Sequence, residues 1–191
     1  MTEPQAKSRN PLIQVLIPIL VILGLVVGGL FAVKKALGPS RPRVEHVEIQ
    51  VGKILPDFVL KRFGPGQIQA SALQSKVIMI NFWATWCEAC MVEMPSIVRL
   101  QHHYAAKGFA VIPINVDDNP ETVLPSTLKK LGIDFPVYID EGQKLAETFD
   151  VHAIPLTVII DKNLKVLFIE SGERNWNGDD FHADLEKWLA S

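Results

Sequence analysis

The chain has 191 residues, a formal net charge of -2 and two cysteines. With 19 basic against 21 acidic residues it lacks the basic surplus of a nucleic-acid-binding protein, and 48% hydrophobic residues exclude a disordered chain. Much of that hydrophobicity is concentrated near the N-terminus, and the remainder has the composition and size of one globular domain.

Residues 1–11 read as a short tail carrying Lys7 and Arg9. From Val15 to Val33 nineteen residues carry no charge. As a helix this run spans about 28 Å, close to the hydrocarbon thickness of a bilayer. It is longer than the apolar region of a secretory signal and ends Phe31-Ala32-Val33-Lys34-Lys35 without a small-x-small cleavage site. Residues 12–35 therefore read as an uncleaved transmembrane signal-anchor helix, in which Pro18 near the start is tolerated. Gly24 and Gly28 are read as ordinary membrane-helix glycines rather than a dimer motif. Residues 36–51, with Gly38, Pro39 and Pro42, read as a linker. Lys34, Lys35, Arg41 and Arg43 outnumber Lys7 and Arg9, which by the basic-residue rule favours a cytoplasmic domain. Two cysteines in a redox-type motif on a tethered domain favour export, and we adopt the extracytoplasmic placement.

Residues 52–191 form the expected domain. Pro56 to Leu60 starts a short strand, and Gln67 to Ala70 pairs with it across the turn Gly64-Pro65-Gly66. Val77 to Phe82 is nearly continuous in apolar residues, the pattern of a strand buried on both faces. A helix follows from Glu88 to Lys107, with Pro95 expected to kink it. Phe109 to Val116 is a strand. Asn119 is expected to cap a helix that begins at Pro120, bends or splits at Pro125 and stops at Gly132. Phe135 to Ile139 is extended and Gln143 to Phe149 a short helix. Leu156 to Ile160 and Lys165 to Glu170 are strands joined by the turn Asp161-Lys162-Asn163-Leu164. The last helix, from Asp179, places Phe181, Leu185, Trp188 and Leu189 on one face. This alternation predicts an α/β fold with a mixed sheet of about five strands, helices on both faces and an extra N-terminal β-hairpin.

The stretch with the clearest chemistry is Trp86-Cys87-Glu88-Ala89-Cys90. Two thiols at this spacing can close a small disulfide ring or hold one metal ion between them. They sit where a strand hands over to a helix N-terminus, whose free N–H groups and dipole favour an anion on the first thiol, Cys87. Glu88, between the cysteines, opposes that effect by its own charge.

The run from Asn81 to Cys90 (Asn-Phe-Trp-Ala-Thr-Trp-Cys-Glu-Ala-Cys), then Glu93-Met94-Pro95, and later Ala153-Ile154-Pro155-Leu156-Thr157 resemble the thioredoxin fold in its membrane-anchored bacterial form. Within it the chain looks most like the TlpA/ResA/CcmG group of thiol-disulfide oxidoreductases, over about residues 52 to 191. The resemblance implies a redox-active Cys87–Cys90 disulfide, with Cys87 attacking and Cys90 resolving. It also implies a cis-proline at Pro155, and extended substrate bound by Ile154, Pro155 and the exposed ring of Trp86, with Trp83 in the core. Asn81 stands where ordinary thioredoxins carry a proton-accepting aspartate, and Glu93, one helical turn past Cys90, matches a glutamate of the ResA-like group suited to replace it. Ala89 and Leu156 depart from the usual proline and threonine.

The implied activity is protein-disulfide reduction on exported proteins such as apocytochrome c, with a membrane thiol donor restoring the dithiol and no cofactor or nucleic acid involved. The alternative use of the same pair is copper(I) carriage on two thiolates and His152 for oxidase assembly. His46, His102, His103 and His182 show no spacing that would complete a zinc site, and the peroxidase pattern before Cys87 is missing.

Overall fold

The computed structural model describes residues 19–20, 22–29 and 47–191. The chain divides into two units, residues 1–43 and 44–191. In the first, residues 19–20 and 22–29 are helical and exposed. The rest of the expected anchor lies outside the described residues, and among the described residues no helix is long and apolar enough to cross a membrane. Most of the expected linker also lies outside them. Its last residues, from 47 on, belong to the second unit, where Val47 N–H donates to Thr148 O.

The second unit is built on one mixed sheet. Its strands are β1 (Val59–Arg62), β2 (Gln67–Gln69), β3 (Val77–Trp83), β4 (Phe109–Asn115), β5 (Tyr138–Ile139), β6 (Leu156–Asp161) and β7 (Val166–Ser171). They lie in the order β2-β1-β5-β4-β3-β6-β7, with β3–β4 and β4–β5 parallel and every other pair antiparallel. The expectation of about five strands is corrected to seven. The five from β3 to β7 are those of the alternating pattern, and the N-terminal hairpin joins the same sheet because Lys61 and Arg62 pair with Ile139 and Tyr138. Strand β5 is only two residues of the extended stretch 135–139.

All seven residues of β3 are buried, as its unbroken apolar run requires of a central strand covered on both faces. Strand β4 tolerates Pro113 for a local reason. Asn115 O accepts from Asp140 N–H on the β5 side, so alternate residues Val111 and Pro113 face that side as well. Strand β5 does not extend that far, Val111 N–H is satisfied by Gln101 Oε1 at 2.6 Å, and Pro113 has no N–H to satisfy.

Four helices complete the unit: α1 (Glu88–Tyr104), α2 (Pro120–Leu131), α3 (Lys144–Thr148) and α4 (Asp179–Ala190). The tail expected of α1 is a separate 3-10 turn, Ala105–Lys107. Neither Pro95 nor Pro125 splits its helix. Asn119 occupies the cap position of α2 but makes no side-chain capping bond, and the first turn begins with Pro120, whose missing N–H is no loss there. Gly132 ends α2 at φ 67, a left-handed conformation in which its N–H reaches back to the Leu128 and Lys129 carbonyls. Helices α1 and α4 lie side by side, with Tyr104 Oη 2.9 Å from His182 Nδ1. On α4, Phe181, Leu185 and Leu189 are buried and Trp188 is half-buried.

Candidate active site

Strand β3 delivers the chain to the site, and the loop 84–87 turns it into α1. That loop is pinned by a carboxylate that follows the neighbouring parallel strand. Asp117 accepts from Thr85 N–H at 2.9 Å and from Thr85 Oγ1 at 3.0 Å, and is itself held by Asn115 Nδ2 at 2.6 Å.

Cys87 is the N-cap of α1, and its Sγ accepts from Cys90 N–H at 3.2 Å. A backbone donor and the positive end of a helix thus face one sulfur, an arrangement that stabilises charge on it. Cys87 and Cys90 are joined as a disulfide with Cα atoms 5.2 Å apart. Cys87 is 7% exposed and Cys90 0%, so only the first sulfur is open to attack. The Ile154–Pro155 peptide is cis, and Ile154 O lies 3.7 Å from Cys87 Sγ. The structure therefore brings Cys87, Cys90, Ile154 and Pro155 into one site. Trp86 beside it is 70% exposed, whereas Trp83 is fully buried.

Glu93 faces the core. It lies on the buried stripe of α1 formed by Cys90, Met94, Ile97, Leu100 and Tyr104, and it is 2% exposed. Its Oε1 accepts from Asn81 Nδ2 at 2.9 Å, and its Oε2 accepts from Arg174 N–H and Trp176 Nε1–H, each at 3.2 Å. Burial pushes its carboxyl above the ordinary glutamate range, against the three hydrogen bonds and with some help from the charge of Glu173. Asn81, directly opposite Thr157 in the β3–β6 register, also donates to Thr157 Oγ1 at 2.9 Å. Asn81 Oδ1 is buried without a partner.

Several of these residues escape sequence reasoning. Asn115 and Asp117 fall at the end of an expected strand, and Arg174 and Trp176 between the last expected strand and the last helix, with no role assigned to any of them. The one signal was Trp176 itself, a large aromatic isolated between Glu173-Arg174-Asn175 and Asn177-Gly178. His152 does not build a copper site with the sulfurs here. It is exposed, its Nε2 lies 3.1 Å from Asp150, and among the described residues no group of three or more His, Cys, Asp or Glu side chains could hold a metal ion.

A disulfide at a helix N-terminus beside a cis-proline, on a thioredoxin-like sheet, is the arrangement of a thiol-disulfide oxidoreductase. Residues 50–187 match the family described as Redoxin, and the chain belongs to that family. Among its relatives, the thiol-disulfide oxidoreductase ResA of Bacillus thuringiensis (strain Al Hakam) is 35% identical over 127 residues, 66% of this chain and 73% of the relative. ResA of Bacillus subtilis (strain 168) is 31% identical over 124 residues, 65% of this chain and 69% of the relative. A structure from Chlorobium tepidum, described as a thiol:disulfide interchange protein DsbE, superposes with a TM-score of 0.66 at 28% identity, covering 74% of this chain and 99% of that one. StoA from Bacillus subtilis, at 17% identity and a TM-score of 0.56 over 70% of this chain and 96% of its own, shares the fold. The protein is thus a ResA-type thiol-disulfide oxidoreductase, active as a protein-disulfide reductase.

Proposed function

We propose that the domain reduces disulfides in exported proteins, the haem-site cysteines of apocytochrome c among them, during cytochrome c maturation. It does so from the extracytoplasmic side of a bacterial cytoplasmic membrane, held by a single-pass anchor over residues 12–35. The observation that carries the chemistry is the pairing of a slightly exposed cysteine at a helix N-cap with a buried carboxylate one turn beyond the second sulfur. The location is supported by the uncharged run Val15 to Val33 and by the motif resemblance.

In the reducing direction the Cys87 thiolate attacks a substrate disulfide, forming a mixed disulfide and releasing one substrate thiolate. An extended substrate segment docks against Trp86, Ile154 and Pro155. Glu93 takes the proton of Cys90, whose thiolate then attacks Cys87 Sγ and releases the second substrate thiolate. Two electrons pass from the dithiol to the substrate, leaving Cys87–Cys90 oxidised. A membrane thiol donor must therefore return two electrons and two protons for each turnover.

The test is trapping in intact cells. Cys90→Ser should accumulate mixed disulfides through Cys87 with exported proteins, c-type apocytochromes among them, and a membrane-impermeant thiol reagent should label Cys87 without lysis. Capture of cytoplasmic proteins only, or labelling only after lysis, would contradict the placement and the substrate class.

A further inference from the structure

We propose that Trp176 is a positioning residue for the resolving step, its indole N–H holding the Glu93 carboxylate while the strap 172–178 fastens that indole against α1. The proposal rests on Glu93 being the proton acceptor for Cys90.

The strap joins β7 to α4 and is secured at several points. Trp176 is fully buried, its ring 4.8 Å from that of Phe181 at an interplanar angle of 77°. Its backbone N–H donates to Ser96 Oγ at 3.2 Å, and Ser96 Oγ–H donates in turn to Glu93 O at 2.7 Å. The Arg174 guanidinium bridges Glu170, near the end of β7, and Asp180, at the start of α4. It also lies over the rings of Phe168, Trp176 and Phe181. With this framework in place, the Arg174 N–H and the Trp176 indole both point at Glu93 Oε2.

A carboxyl group used as a base must keep one orientation in both of its protonation states. Asn81 supplies a single donor from the sheet side, to Oε1. Without the strap, Oε2 would be buried with no donor, and a carboxylate in that position would turn or remain protonated. The strap also forms one wall of a cleft of about 330 Å³ lined by Val92, Glu93, Ser96, Arg99 and residues 173–175. The charged groups around Glu93 are Glu173 on the strap and Arg99 on α1, while Arg174 is occupied by Glu170 and Asp180. From β3 it meets the neutral Asn81 side chain, which donates in turn to Thr157 on β6.

The experiment follows the Trp176 indole N–H and the Glu93 carboxyl carbon by NMR in the full-length protein, and measures the pH profile of mixed-disulfide resolution. In the wild type, the Trp176 indole signal should move with pH at the same midpoint as Glu93. Trp176→Phe keeps a ring against Phe181 but removes a donor to the charged carboxylate. It should raise the Glu93 midpoint, and that of the resolving rate, by about one pH unit. Ser96→Ala removes the acceptor for Trp176 N–H and should move both midpoints the same way by less. An indole signal indifferent to pH, with both midpoints unchanged in Trp176→Phe and Ser96→Ala, would overturn this proposal alone, provided Glu93→Gln abolishes the pH dependence of resolution. If Glu93→Gln keeps that dependence, the base is another group, and the role of Glu93 and the positioning role of Trp176 fall together.

Discussion

Glu93 sits on the apolar stripe of α1, and three hydrogen bonds offset part of the cost of burying its charge. Because burial dominates, its carboxyl is shifted upward, so the folded protein binds the proton more tightly than the unfolded chain does. The sign follows directly: the folded state loses stability as pH rises from the ordinary glutamate range through the raised value. Glu93→Gln removes this loss. Glutamine can keep its oxygen toward Arg174 and Trp176, and Asn81 can turn its unpartnered Oδ1 toward the new amide, so the fold is retained. Denaturation series from pH 4 to 8 should show the variant gaining on the wild type by about 1.4 kcal/mol for each pH unit of the upward shift. Parallel curves would mean that Glu93 titrates normally. The spacing of Glu93 from Cys90 was legible in the sequence, as was the absence of a carboxylate at position 81. Its donors were not, because Arg174 and Trp176 are some eighty residues away and reach it only through the strap.

At the scale of elements, the site is a junction whose parts are held by side chains outside the cysteine motif. Asp117 fixes Thr85 through two hydrogen bonds and so sets where α1 begins. Asp117→Ala leaves those donors without their acceptor. It should cost about 1–3 kcal/mol in urea unfolding and slow the attack by Cys87, whereas unchanged stability would show the loop to be self-supporting. The strands and helices themselves were readable from hydrophobic period and turn residues: the run Val77 to Phe82 as a doubly buried strand, Gly132 as a stop, Asp179 as a start. Where the reading failed, local rules met tertiary pairing. The hairpin strand β1 joins the main sheet only by pairing with β5, a contact that no local pattern contains. Of the two outcomes read for Pro125, bending or splitting, splitting does not occur, because α2 runs on through that proline as α1 runs on through Pro95.

For the whole molecule, the proposed anchor would join the redox domain to a membrane through the uncharged run Val15 to Val33. Full-length protein should remain in the membrane fraction after alkaline carbonate washing, and release by that wash would remove the anchor from the account. On the proposed anchor the domain would meet its substrates and the proposed thiol donor on one surface, which suits a site that must be reduced again after each exchange. Family membership and chemistry were legible because the cysteine pair, the Glu93 segment and the Ile154-Pro155 segment occur in order. The natural substrate was not, since the motif residues set the exchange chemistry and not the identity of the protein that undergoes it.

The most direct measurement of the central claim, that a buried carboxylate drives the release of substrate, is the rate of the resolving step. Mixed disulfide formed between Cys87 and a model substrate can be followed by rapid acid quench and mass spectrometry at pH 7 in the wild type and in Glu93→Gln. The account predicts that Glu93→Gln slows resolution by about a hundredfold, the lower range for loss of a positioned general base. Equal resolving rates in the two proteins would contradict it.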